Sequence, residues 1–166
     1  MGLCEISMNA KRFVSSTSCL CHANGVMVPN TGVYVIKIRC DSRNEFSLDG
    51  IGVCLHDVDL SEEWYCGSKY FMFGDYSQIG NSINSNQNNP FHMKCKWIGD
   101  ALPECNSGAV LEMIYNSYKG EMKFKKNGEF LGRSIHNLHS VGDLYWCVAV
   151  DPCWKCVHDV TIVDYD

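Results

Sequence analysis

Lys119-Gly120-Glu121-Met122-Lys123-Phe124-Lys125-Lys126-Asn127-Gly128-Glu129-Phe130-Leu131-Gly132 is the stretch whose reading decides the fold. Met122 and Phe124 alternate with charged residues, so the run reads as a strand with one wet face and one buried face. Asn127-Gly128 tolerates the positive φ that a tight hairpin turn needs. Upstream, Val110 to Tyr115 is a second strand-like run, and Asn116 to Gly120 turns it back into the first. A further strand leaves at Phe130. The expected unit is an antiparallel meander with Met122 and Phe124 in the core.

Working outward, apolar or alternating runs recur at Gly25 to Val28, Val33 to Cys40, Ile51 to Leu55, Tyr70 to Phe73, Met93 to Trp97, Leu144 to Val150 and Val160 to Tyr165. Turn-rich breaks such as Asp41 to Asn44 and Asp100 to Gly108 separate them. Short strands punctuated in this way predict an all-β sandwich or barrel. No sustained helical period and no internal repeat is present. The longest break, Asp75 to Pro90, is dominated by Ser and Asn. Loops beyond about 12 residues are usually functional or mobile, although Asn-rich composition also fits a low-complexity expansion.

The totals narrow the class. At 166 residues the chain is expected to form a single domain, 1–166, with its core over roughly residues 20–165 and no need of disulfide staples. A formal net charge of −5 argues against a nucleic-acid module, which usually carries a basic stripe. No run approaches the roughly 20 apolar residues of a membrane helix, and Met1 to Arg12 lacks an apolar signal core, so a cytoplasmic or nuclear address is expected. The eleven cysteines are odd in number and spread along the chain, unlike a disulfide framework. Cys40, Cys54 and Cys147 sit in apolar runs and read as buried, reduced thiols.

The order of these runs resembles the SPRY domain. Gly32-Val33-Tyr34-Val35-Ile36-Lys37-Ile38 is similar to an early SPRY strand, and Ile51-Gly52-Val53 to the "iGv" strand. Ser68-Lys69-Tyr70 through Gly74 is similar to the segment that follows. Gly108 to Met113 occupies the place of the "G-D-v-I-G-v" strand, with Ala109 where aspartate is usual. Met122 to Gly132 resembles "i-x-F-x-x-N-G-x-x-x-G". Leu144-Tyr145 resembles the "l-y-P" strand, with Trp146 in place of proline, and Val160 to Val163 the closing strand.

The resemblance spans roughly residues 20 to 165 and implies a bent, two-sheet antiparallel β-sandwich of the concanavalin-like jelly-roll type. It implies a non-catalytic module that binds a protein or peptide partner through loops at one end of the sandwich, as a scaffold or as a substrate receptor of a ubiquitin ligase. It implies no cofactor, no nucleic acid, no membrane, and a monomer as an isolated domain. In the SOCS-box group a tyrosine after the "iGv" strand and a loop before the last strand form a peptide pocket. Tyr70 stands at the first place and Asp151-Pro152-Cys153-Trp154-Lys155 at the second, with Trp154 matching the family's tryptophan. Asp75 and Tyr76 open the Asn-rich loop and are expected at the same end. Tyr70 and Trp154 are the type of rigid aromatic anchor that dominates interfaces, and they read equally as core rings. Trp64, after the acidic run, reads as a packing residue.

Other chemistries leave weaker traces. Cys153-x-x-Cys156 has zinc-knuckle spacing, followed by His158, and Cys19-x-Cys21-His22 offers a second half-site without the standard spacing. Inert thiols are the ordinary reading of all four. His136 and His139 lie in the expected Ser134 to Ser140 connection after the hairpin, with no carboxylate at motif spacing, and read as surface or structural histidines. No nucleophile elbow and no phosphate-cradling glycine loop appears. Glu62-Glu63 reads as a solvated acidic face. The rival functions are a lectin-like carbohydrate-binding sandwich, suggested by Asn, Asp and aromatic loop residues, and a zinc-stabilised or cysteine-dependent enzyme.

Overall fold

The computed structural model describes residues 12–15, 19–40, 50–58, 70–73, 95–98, 108–150 and 158–165. The strands are β1 (Arg12–Ser15), β2 (Cys19–Met27), β3 (Val33–Cys40), β4 (Gly50–Leu55), β5 (Tyr70–Phe73), β6 (Lys96–Ile98), β7 (Val110–Asn116), β8 (Glu121–Lys126), β9 (Glu129–His136), β10 (Leu144–Val150) and β11 (His158–Tyr165). Among the described residues, one short 3-10 turn, Leu138–Ser140, is the sole helical element. The strands form two antiparallel sheets. The larger has the order β1-β11-β3-β7-β8-β9-β6 and the smaller β2-β10-β4-β5. This is the expected two-sheet sandwich.

The meander forms as its sequence dictates. Asn127 (φ 51°) and Gly128 (φ 87°) make the two-residue turn between β8 and β9, with both residues in the left-handed region that a primed hairpin turn requires. The Asn127 side chain does a second task. Its Oδ1 accepts the Val110 amide at 2.9 Å while its own amide donates to the Val110 carbonyl at 2.8 Å, tying the turn to the start of β7.

Side-chain alternation decides which face is inside. On β7, Leu111, Met113 and Tyr115 are buried, and on β8, Met122 and Phe124 are buried, as expected. Ile36 and Ile38 of β3 and Ile135 of β9 join them from the larger sheet. Ala23, Met27, Val53, Leu144 and Trp146 face them from the smaller one. Trp146 fits where the family pattern has proline because its ring fills this core. Ala109 in place of aspartate is also buried.

Several bounds differ from those expected. β1 had no signal, and β2 begins at Cys19 rather than near Gly25. Both strands owe their existence to partners remote in sequence: Arg12–Ser15 pairs with His158–Thr161, and Cys19–Met27 with Leu144–Val150. β6 covers Lys96–Ile98, and β9 runs on to His136, which is therefore a strand residue and not part of a connection. No helix among the described residues is long and apolar enough to cross a membrane.

Candidate functional site

The smaller sheet carries Tyr70, the first of the expected partner-binding residues. Tyr70 opens β5 opposite Cys54 of β4, Cys54 lies opposite Tyr145 of β10, and Tyr145 opposite Val26 of β2. The neighbouring row, with Val53 and Trp146, faces the core, so Tyr145 and Cys54 project to the other side of the sheet. Along that face, Cys147 is opposite His22, and the rings of His22 and Tyr145 meet at 5.2 Å with a 55° tilt. His22 Nδ1–H donates to the Ala23 carbonyl at 3.1 Å, which sets the ring's tautomer and orientation. Cys54 and Cys147 are buried, as their apolar runs predicted, and neither is in a disulfide among the described residues; the Cys40 side chain lies outside those described. Their burial occurs outside the main core cluster, on the opposite face of the sheet.

Register also locates the ends of these strands. Phe73 closes β5 opposite Ile51, and Ile51 is opposite Val148, near the end of β10 at Val150. The Asp75–Tyr76 and Asp151–Lys155 stretches follow Phe73 and Val150 in sequence, whereas Tyr70 begins at the other end of β5. Three residue steps along a strand span about 10 Å. Asp75, Tyr76, Asp151, Pro152, Trp154 and Lys155 themselves lie outside the described residues, as do Trp64, Cys153 and Cys156.

The zinc candidates divide between the sheets. Cys19 and Cys21 are on β2 opposite Val150 and Val148, while His158 opens β11 opposite Ser15. Among the described residues, no three His, Cys, Asp or Glu side chains group as a metal site.

The best-defined loops lie at the Tyr70 end, where β2 turns into β3 and β7 into β8. Ser117 is fully buried there and acts as a clamp. Its Oγ accepts the amides of Thr31 at 3.0 Å and Gly32 at 2.9 Å and donates to the Gly32 carbonyl at 2.8 Å. The Ser117 amide donates to the same carbonyl at 3.0 Å. Thr31 Oγ1 reaches the Val28 carbonyl at 2.7 Å and the Tyr34 hydroxyl at 2.5 Å. Tyr118, 61% exposed, lies over this loop and donates its hydroxyl to the Thr31 carbonyl at 3.1 Å. Gly120 (φ 61°) closes the turn against the His139 imidazole, where a Cβ would overlap the ring. The result is a rigid end with an exposed aromatic ring and the exposed Val33 beside it.

Sequence reasoning missed Ser117 because a lone serine in a turn carries no signal of its carbonyl and amide partners, which are 85 and 86 residues away. It also separated His136 from any acid. The structure brings His136 Nε2 to 3.8 Å from the Glu121 carboxylate and 2.8 Å from Ser134 Oγ, across the β8–β9 pair. These three side chains form a partly exposed polar cluster.

The chain matches no protein-family profile and no curated protein. Among solved structures it is similar to the SPRY domain of human HERC1, at 17% identity and a TM-score of 0.68, covering 94% of this chain and 89% of that one. Looser likenesses join it to alginate lyase AlyC3 (7% identity, TM-score 0.44, 93% of this chain and 69% of that one). A family 7 alginate lyase, A1-II′, gives 14% identity, a TM-score of 0.41 and coverage of 82% and 62%. Likenesses that loose say nothing of this chain's chemistry. On the HERC1 comparison and the two antiparallel sheets together, the chain has the SPRY-type β-sandwich fold.

Proposed function

We propose that the chain is a non-catalytic protein-interaction module that binds a peptide or protein surface through Tyr70, Asp75–Tyr76 and Asp151–Lys155. The observation that carries this reading is the SPRY-type fold itself, over 94% of the chain. The strand register supports it in one respect. Tyr70 belongs to β5, at the end of the sheet order, so a ligand has open access to one side of that strand among the described residues. A ligand that runs along β5 from Tyr70 to Phe73 spans about 10 Å, the reach of an extended tripeptide or longer. Within the cell such a module recruits or scaffolds a partner, as part of a ubiquitin ligase or beside another functional domain, in a reducing compartment that suits the chain's thiols.

The test is capture of partners by the full chain, identified by mass spectrometry, followed by affinities for Tyr70→Ala and Trp154→Ala. Anchors in a desolvated pocket carry about 2 kcal/mol or more, so each loss should weaken binding roughly 30-fold. Two folded variants that bind like the parent overturn the site. Binding to a glycan array in place of any protein supports the lectin-like alternative. Thiol counting in denaturant without reductant tests the compartment, which is wrong if most cysteines prove to be in disulfides.

A further inference from the structure

The β8–β9 pair departs from regular pairing at one place. Lys125 is opposite Phe130 and Lys123 opposite Ser134, so β8 places Phe124 alone across a span in which β9 places Leu131, Gly132 and Arg133. The extra residues form a bulge, and Gly132 adopts φ 66° within it. Leu131 packs against the core and Phe124 is wholly inside, so the displaced chain is pushed outward at Gly132 and Arg133. A shallow cavity of about 330 Å³ results on the outer face of the larger sheet, lined by Lys123, Phe130, Gly132, Arg133 and Ser134.

The chemistry of this cavity is uneven. Phe130 is 63% exposed, with the Lys125 ammonium 4.7 Å from its ring centroid. The lysines already have counter-ions: Lys123 pairs with Glu121 at 3.2 Å and Lys125 with Glu112 at 2.9 Å. Arg133 is half-buried and makes no ion pair or side-chain hydrogen bond with the described residues. In a chain with a net charge of −5, one guanidinium thus has no anion among the described residues and stands beside an aromatic ring that is largely exposed.

The geometry points to a second docking surface, in which Arg133 holds a Glu or Asp carboxylate of a partner's acidic segment and Phe130 holds the apolar side chain next to that acid. The planar guanidinium matches a carboxylate with two parallel hydrogen bonds, and partial burial strengthens them. The cavity is at the small end of ligand pockets and accommodates one or two side chains. A nucleic-acid backbone is disfavoured, because Lys123 and Lys125 are already paired with Glu121 and Glu112, which leaves the cavity's lining with one guanidinium and no row of unpaired cations for successive phosphates. β9 and β5 belong to different sheets, so this surface is separate from the Tyr70 site and stands or falls independently of it.

The experiment uses the full chain and an array of short synthetic peptides in which Glu flanks Leu, Phe or Met, each printed beside its Gln isostere. Hits are then measured by fluorescence anisotropy. The expected result is binding of Glu peptides over Gln peptides, weakened about 10-fold by Arg133→Gln, as befits a charge-assisted pair at a half-exposed site. Phe130→Ala should weaken the same peptides, Arg133→Lys should keep part of the affinity, and all three variants should keep the parent's circular dichroism. Equal binding of Glu and Gln peptides overturns the proposal, as does indifference to Arg133→Gln. Arg133-dependent binding of an RNA oligonucleotide or of phosphatidylserine vesicles, without peptide binding, overturns it as well.

Discussion

Ser117→Ala removes a single oxygen from the clamp at the Tyr70 end, and its cost can be worked out from the bonds that oxygen makes. Ser117 is fully buried, so no water replaces the lost acceptor without local opening. The Thr31 and Gly32 amides, now 3.0 and 2.9 Å from Oγ, lose their partner, while the Gly32 carbonyl keeps the Ser117 amide at 3.0 Å. An unsatisfied buried donor costs about 1–3 kcal/mol. Thr31 is exposed and its amide is partly rehydrated, so the sum is roughly one full penalty and part of another, about 2–3 kcal/mol. For a domain of this size that is a fall in Tm of roughly 5–10 °C. Urea unfolding followed by circular dichroism should show a lower midpoint with an unchanged m-value. The Thr31 and Gly32 amides should also exchange with solvent faster, since local opening now costs less. A loss below about 0.5 kcal/mol with exchange still slow would refute the clamp. Tyr118→Phe is the control: it removes a bond to the same loop from an exposed ring and should cost less than about 0.5 kcal/mol.

Phe124→Ala empties a fully buried site on β8 and should cost about 3–5 kcal/mol in the same assay; a loss under about 1 kcal/mol would mean that the strand's phase is wrong. Asn127→Ala forces an alanine into the left-handed region and removes the acceptor of the Val110 amide, for about 1–2 kcal/mol, whereas Asn127→Gly keeps the backbone freedom and should cost less. Burial of the Tyr115 ring, with the Cys95 thiol and the Tyr34 phenol beside it, pushes its phenol from 10.0 up to about 12. Between those two values the folded chain keeps a proton that the unfolded chain has released, so stability falls as pH rises through that window, and Tyr115→Phe should lessen the fall in alkaline denaturation. The Tyr115 hydroxyl is buried without a hydrogen-bond partner among the described residues, so at neutral pH the same variant should be neutral or more stable by up to about 1 kcal/mol; a clear loss of stability would show that the hydroxyl is satisfied in solution.

What the sequence by itself determined is what is written within a few residues. Alternation on β7 and β8 is a local property of an extended chain, because successive side chains take opposite faces. Asn127-Gly128 announces its turn because few other residue pairs accept two positive φ angles. From these, and from the order of the apolar runs, the two-sheet sandwich and its buried Met122 and Phe124 were legible. Tertiary structure alone decided what depends on remote partners. β1 and the first half of β2 are strands because Val160 and Val148 lie opposite Phe13 and Cys21, and nothing nearby in sequence says so. Cys54 and Cys147 share the apolar runs of the core yet are buried on the other face of the smaller sheet, since a one-residue step in register exchanges the faces. Ser117, Glu121 beside His136, and the groove at Arg133 all arise where chains separated in sequence are held in register, by a hydroxyl, a cross-strand pair and a bulge. Composition assigns such residues to turns and wet faces. Only the pairing of strands gives them partners, or leaves Arg133 without one among the described residues.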